Sequence, residues 1–178
     1  GGEASLAADT AHDLDVVFPP LNERQTTNLR AALGPMVALA NPLDYHTYIW
    51  RDVDAMTRAF SAMMDPSLAI TLLIVDFPRP DRCSAADWDC AIEAAIGARQ
   101  QTGANVGMVA SLPELLPEEV AAQLMAAGVV PFCGLREAII ACEAAAGSPL
   151  PAAEPLLLPT PTVDPDLIPE AEAKRRLA

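Results

Sequence analysis

The chain has 178 residues and a net charge of −13, and 52% of its residues are hydrophobic although only 4% are aromatic. Phosphate contacts need clustered Lys and Arg, so the acidic charge argues against a nucleic-acid partner, and the hydrophobic content argues against global disorder. No apolar run approaches the roughly 20 residues that span a bilayer, and no signal peptide is visible, so we expect a cytoplasmic protein without a membrane partner.

Apolar segments and helical patterns alternate along the first 147 residues. Apolar runs predict strands at 14–21, 67–78, 104–111 and 129–133, with room for a short strand at the start of the loop 36–52. Helical periodicity predicts helices at 3–13, 22–33, 52–65, 84–103, 116–128 and 134–147. Asn22 and Ser84 are the expected N-caps of the second and fourth helices.

Strands separated by helices of ten or more residues imply a mainly parallel sheet with helices on both faces. The order predicts an α/β fold, a flavodoxin-like three-layer α/β/α sandwich. A helix in such a fold normally follows a strand, yet no strand precedes Gly1. We therefore expect the first strand to be missing and the domain at 1–147 to be N-terminally truncated.

The sequence changes character after Gly147. A proline recurs every few residues from 148 to 169, which rules out a regular helix or a central strand and predicts an extended linker. The segment EAEAKRRLA at 170–178 then begins a helix that is cut off, so it is expected to open a following domain.

Three motifs in this order resemble one enzyme family. The chain begins GGEASLAADTA, with Asp9 in the helix, continues with NPLD at 41–44 and ends its predicted sheet with GVVPFCGLREAIIA. This set is similar to the CoA-ligase domain of the NDP-forming acyl-CoA synthetases, relatives of succinyl-CoA synthetase and ADP-forming acetate–CoA ligase. The tail at 170–178 resembles the opening helix of the ATP-grasp domain that follows in fused members.

The resemblance implies a fragment of an ATP-binding, ADP-forming ligase. The family converts acid, CoA and ATP to acyl-CoA, ADP and phosphate through an acyl phosphate and a phosphohistidine. The phosphohistidine belongs to an HTGA-like segment that this sequence lacks. We therefore expect no catalytic residue here, no activity of this chain alone, and ATP, CoA and Mg bound only by the whole enzyme. Its expected partners are that enzyme's CoA-binding, phosphohistidine and ATP-grasp domains, in a homo-oligomer.

The glycine pair Gly1 and Gly2 is the candidate anion site. The first N–H groups of a helix lack internal partners and carry about half a positive charge, and glycine lets a phosphoryl group come close. The resemblance implies that this helix end faces the phosphohistidine of another domain. The alternative is a tight strand-to-helix turn without a ligand.

The loop 41–50 supplies the remaining candidates. Asn41, Asp44 and His46 follow a predicted strand end, where open α/β sheets place their sites, and either support the site or form a structural turn. The segment YHTYIW at 45–50 is an interface with another domain or a plug for the local core, and we favour the interface. His12 is expected to be a surface residue of the first helix, and neither histidine has the context of a phosphohistidine.

No other pattern indicates catalysis. The four cysteines form no CxxC pair and are expected to be reduced structural thiols, with a metal site or disulfide as the minority alternative. We expect no metal site. Two rival functions are a non-catalytic regulatory or interaction module of the same ancestry, as in acyltransferase fusions, and an independent flavodoxin-like signalling or binding domain.

Overall fold

The computed structural model describes residues 2–148 and 169–177. Its helices and strands, in chain order, are α1 (Gly2–Thr10), α2 (Glu23–Leu33), α3 (Val53–Met63), β1 (Thr71–Ile74), α4 (Asp89–Thr102), β2 (Val106–Ala110), α5 (Glu118–Ala126), β3 (Val130–Cys133), α6 (Leu135–Gly147) and α7 (Glu170–Leu177). Short 3-10 turns occupy Thr47–Ile49, Ala86–Trp88 and Pro113–Leu115.

The three strands form one parallel sheet in the order β1-β2-β3. Every residue of the central strand β2 is buried. Its alternate side chains Val106, Met108 and Ala110 join the larger core cluster with α3 and α4, whereas Val109 joins the smaller cluster with α1 and α6. The sheet therefore lies between two helical layers, which confirms the flavodoxin-like α/β fold.

Gly107 lies on the face of β2 that is directed to α1 and α6, where side chains from both neighbouring strands cover it. A Cβ atom at Gly107 would lie 2.7 Å from Cε2 of Phe132 and 2.9 Å from Cδ2 of Leu72. Glycine here lets the side chains of the two neighbouring strands meet over β2.

The strand predicted at 14–21 does not form, and neither does a strand at the start of the loop 36–52. Residues 16–22 have no regular secondary structure and belong to no ladder among the described residues, where β1 is an edge strand of the sheet. An apolar alternating segment becomes a strand only where a neighbour can accept its backbone hydrogen bonds.

Two local expectations also need correction. The first helix ends at Thr10 rather than at 13, so the exposed His12 lies in the following turn. Ser84 does not cap α4, since its hydroxyl accepts the N–H of Ala86 and a 3-10 turn intervenes before the helix begins. Asn22, by contrast, caps α2 with a reciprocal bond to Gln25.

The chain divides into two compact units, Gly1–Ser148 and Pro149–Ala178. In the second unit, Glu172 and Arg176 form an ion pair one turn apart on α7. The predicted linker at 148–169 lies almost wholly outside the described residues, as does the strand expected before Gly1. The predicted domain boundaries and the truncation therefore stay predictions.

Candidate functional site

Gly2 is the first residue of α1, and Gly1 lies outside the described residues. A Cβ atom on Gly2 would meet no heavy atom within 4 Å, so no packing among the described residues requires glycine there. The first N–H groups of the helix are accessible to an external acceptor. Glu3 places a negative charge in the same turn, which favours the helix itself but opposes an anion at its end.

Asn41, Asp44 and His46 lie in one loop and line the same cavity, whose volume is about 800 Å³. The side-chain amide of Asn41 donates a 3.0 Å hydrogen bond to the carbonyl of Pro19, and the peptide bond from Asn41 to Pro42 is cis. Asn41 therefore ties this loop to the segment that follows α1.

Asp44 and His46 shape the next turn of the loop. Oδ1 of Asp44 accepts the backbone N–H of His46 at 3.1 Å, while His46 has a φ of 59°. The exposed imidazole stacks on Tyr48 with ring centroids 5.7 Å apart. Glu3 and Ala4 of α1 line the same cavity, so the cavity borders both this loop and the first turn of α1, although Gly2 itself does not line it.

The aromatic segment at 45–50 divides between core and surface. Tyr45 packs edge-on against Phe60 of α3 at 5.4 Å, and burial together with the nearby Cys90 raises the pKa of Tyr45 to about 12. Trp50 packs edge-on against Trp88 at 5.9 Å. Tyr48 is 60% exposed. The inward side chains Tyr45 and Trp50 therefore pack in the local core, while Tyr48 is exposed.

Sequence reasoning missed Asp76 and Ser111, which follow β1 and β2. The Asp76 carboxylate accepts the N–H of Ser111 on one oxygen and its hydroxyl on the other, both at 2.6 Å. The backbone carbonyl of Asp76 accepts the indole N–H of Trp88 at 2.7 Å. The available signal was a polar residue directly after each apolar strand, at the edge where open α/β sheets place their sites.

The cysteines are all free thiols among the described residues, and no cluster of three His, Cys, Asp or Glu side chains there could hold a metal ion. Cys142 lines the cavity, and burial raises the pKa of its thiol. Within the same residues, no helix combines the length and apolar character needed to cross a membrane.

No protein-family model matches the chain, and no curated protein matches it. The crystal structure of PH0766 from Pyrococcus horikoshii OT3 is similar to this fold, with a TM-score of 0.63 over 81% of the chain at 20% sequence identity. This chain covers 32% of PH0766. The comparison shows that the chain shares its α/β fold with one part of a longer protein.

Proposed function

We propose that residues 1–147 are the CoA-ligase domain of an NDP-forming acyl-CoA synthetase, which converts acid, CoA and ATP to acyl-CoA, ADP and phosphate. Three observations support the proposal: the ordered sequence motifs, the parallel α/β fold, and the open N-terminal end of α1. The open end of α1 at Gly2 is the observation that carries it, because the described fold gives no packing reason for glycine there.

The role proposed for this domain is electrostatic. A phosphoryl group on a histidine of another domain would accept hydrogen bonds from the free N–H groups at the start of α1. Because glycine has no side chain, the phosphoryl group could come close to this backbone. An exposed helix end contributes on the order of 0.3–1 kcal/mol to an anion, and a partly buried one up to about 2 kcal/mol. The loop holding Asn41 and Asp44 would support the same region, since it lines the cavity that Glu3 and Ala4 also line.

ATP, CoA and Mg belong to the whole enzyme in this proposal. The described residues hold no cluster of three potential metal ligands, and the sequence has no GxxxxGK[ST] or GxGxxG loop. We therefore assign the nucleotide and its metal to the ATP-grasp domain, and CoA to the CoA-binding domain. The domain's own contribution is to hold the phosphoryl group.

The test is phosphoenzyme formation from radiolabelled ATP in the protein that carries this chain with its phosphohistidine domain. Gly2→Asp places a carboxylate where the phosphoryl group would lie, so we expect at least about fivefold less phosphoenzyme, corresponding to roughly 1 kcal/mol. Gly147→Asp is the matched control, because its Cβ also meets no atom within 4 Å but lies at the last residue of α6.

Each outcome decides between the candidate functions. If Gly2→Asp forms phosphoenzyme at the wild-type level and rate, then Gly2 only begins the helix and does not bind the phosphoryl group. Absence of any phosphoenzyme in the wild-type protein would favour the non-catalytic module of the same ancestry. Circular dichroism of both variants checks that the fold is intact.

A further inference from the structure

Two residues with unusual backbone angles bracket the 3-10 turn Thr47–Ile49. His46 has a φ of 59° and a ψ of 156°, and Arg51 has a φ of 72°. They are the two residues other than glycine that have positive φ in the described part of the chain. The angles of His46 lie at the edge of a region that glycine almost alone adopts, so both positions store backbone strain.

The chain is anchored on both sides of these two residues. Before them, Tyr45 packs edge-on against α3, and Oδ1 of Asp44 accepts the N–H of His46. After them, Asp52 is the N-cap of α3 and accepts a backbone N–H with its side chain. The strain is therefore confined to the segment 46–51, which we call the strap.

Few contacts hold the strap against the domain. Its backbone hydrogen bonds, from the N–H of Trp50 to Thr47 and from the N–H of Asp52 to Ile49, close the turn on itself. Among the described residues, no backbone hydrogen bond joins the strap to a strand. Ile49 and Trp50 are half-buried against the larger core cluster, whereas the other four side chains of the strap are exposed. Segments with so few buried contacts open without unfolding the whole domain.

Two side-chain contacts join the strap to the 3-10 turn Ala86–Trp88. Trp50 packs edge-on against Trp88, with 5.9 Å between the ring centroids. Arg51 forms an ion pair with Asp87, in which both side chains are more than half exposed. An exposed ion pair contributes little free energy, so these contacts form a weak latch.

The latch lies beside the carboxyl ends of β1 and β2. The indole N–H of Trp88 donates to the carbonyl of Asp76 at 2.7 Å, and the carboxylate of Asp76 holds Ser111. Open α/β sheets bind their ligands at this edge. A movement of the strap that carries Trp50 away would uncover Trp88 and open this edge to solvent.

We propose that the strap is a lid that alternates between the closed position seen here and an open one, with His46 and Arg51 as its hinges. In the open state both latch contacts are broken and the two hinge residues relax to negative φ. Backbone strain favours the open state and the latch favours the closed one, so a ligand or partner that meets only one state shifts the population. The lid controls access to the carboxyl ends of β1 and β2, and it does so whether or not the domain acts in a ligase.

The test uses the full chain uniformly labelled with 15N. The two tryptophans of the sequence are Trp50 and Trp88, so their indole signals report directly on the latch. Lid opening in microseconds to milliseconds should produce relaxation dispersion at both indoles, and its fit gives the open population. The backbone amides of Leu73 and Val109, within β1 and β2, are the internal reference and should show none.

Asp87→Asn breaks the ion pair of the latch and leaves the hinges unchanged. It should raise the open population by about two- to fivefold, which is the range that an exposed ion pair allows. Asp81→Asn is the matched control, because it makes the same charge change in the exposed pair with Arg79. That variant should leave the open population unchanged.

His46→Gly relieves the strain at one hinge, because glycine adopts these angles freely. It should lower the open population at least about threefold, whereas His46→Val puts a β-branched residue at positive φ and should raise it. Thr47→Gly is the matched control: it adds the same chain freedom at a residue without positive φ and should not lower the open population.

Three results would overturn the proposal. One is the absence of dispersion at both indoles in the wild-type protein and in Asp87→Asn. A second is an unchanged open population in His46→Gly together with greater global stability in urea, since the strain then belongs to a single fixed loop. A third is dispersion of the same population at Leu73 and Val109, since that reports unfolding of the sheet and not movement of a lid.

Discussion

The carboxylate of Asp76 holds Ser111 by two hydrogen bonds of 2.6 Å, one to its backbone N–H and one to its hydroxyl. Asp76 follows β1 and Ser111 follows β2, so the pair joins the carboxyl ends of adjacent parallel strands. The N–H of Leu135 then bonds to the carbonyl of Ser111, which links the same corner to the start of α6. This corner fixes the edge of the sheet that borders the cavity.

Ser111→Ala should lower the free energy of unfolding by about 1–3 kcal/mol, because one carboxylate oxygen of the half-buried Asp76 loses its donor. Urea denaturation with a shared slope measures the change. Ser84→Ala is the control, since that exposed hydroxyl accepts only the N–H of Ala86 and its loss should cost less than about 0.5 kcal/mol. Equal effects of the two substitutions would contradict a structural role for the corner.

The parts of the fold that were predictable from sequence are those decided by local chemistry. The continuous apolar run around β1 predicted a strand, and Asn22 with Gln25 three residues later specified the start of α2. Helix ends at Gly34 and Gly103 follow from positive φ values of 73° and 67°, which glycine adopts without strain.

The errors arose where distant parts of the chain decide the outcome. The segment 14–21 has a strand pattern, but its ladder depends on a neighbour that residues 2–148 do not provide. Asp76 and Ser111 are 35 positions apart, so no local pattern shows that they bond. Of the candidate site, the sequence located the loop at 41–46 and the start of α1, but it did not show that they border one cavity with β1.

Ionisation of Tyr45 should make the protein less stable in alkali. Burial, with a smaller contribution from Cys90, raises the pKa of Tyr45 from 10.0 to about 12, so the unfolded chain loses this proton first as the pH rises. The stability present below pH 10 should fall by about 2 kcal/mol between pH 10 and 12. Tyrosinate absorbance and urea denaturation measure the two effects.

Tyr45→Phe should remove both the late tyrosinate titration and this loss of stability. Tyr48→Phe, at a residue that is 60% exposed, is the matched control and should retain them. A late titration that persists in Tyr45→Phe would show that the buried hydroxyl belongs elsewhere.

Protonation of Asp65 should make the protein less stable in acid. Its carboxylate accepts the N–H and hydroxyl of Ser67 and further bonds from Asn22 and Arg24, and these bonds hold the pKa of Asp65 well below its usual range. Because the unfolded chain binds this proton first, stability should be complete above about pH 4 and fall as the pH is lowered further.

The slope of unfolding free energy against pH reports how many more protons the unfolded chain binds than the folded protein. Below about pH 4, Asp65→Asn should reduce this number by up to one. It should also lower stability at neutral pH, since the bonds join the start of α2 to the end of α3. Asp81→Asn makes the same charge change in an exposed pair with Arg79 two residues away. Urea midpoints from about pH 2 to 7 provide the measurement, and an unchanged slope in Asp65→Asn would refute the assignment.

Asn41 separates the two interpretations of the loop at 41–46. Its amide donates to the carbonyl of Pro19 and so holds in place the segment 15–19, which lines the cavity. Asn41→Asp replaces that donor with a carboxylate facing a carbonyl oxygen, so we expect a loss of about 1–2 kcal/mol in unfolding free energy and faster hydrogen exchange in 15–18.

His46→Ala is the control for Asn41→Asp, because the exposed ring stacks only on Tyr48 and its backbone bond to Asp44 survives the change. That variant should retain the wild-type stability within about 0.5 kcal/mol. If Asn41→Asp is as stable as His46→Ala and exchange in 15–18 is unchanged, then Asn41 does not hold the segment. Its polar side chain would then be available to a ligand in the cavity, and the site interpretation of the loop would prevail over the structural one.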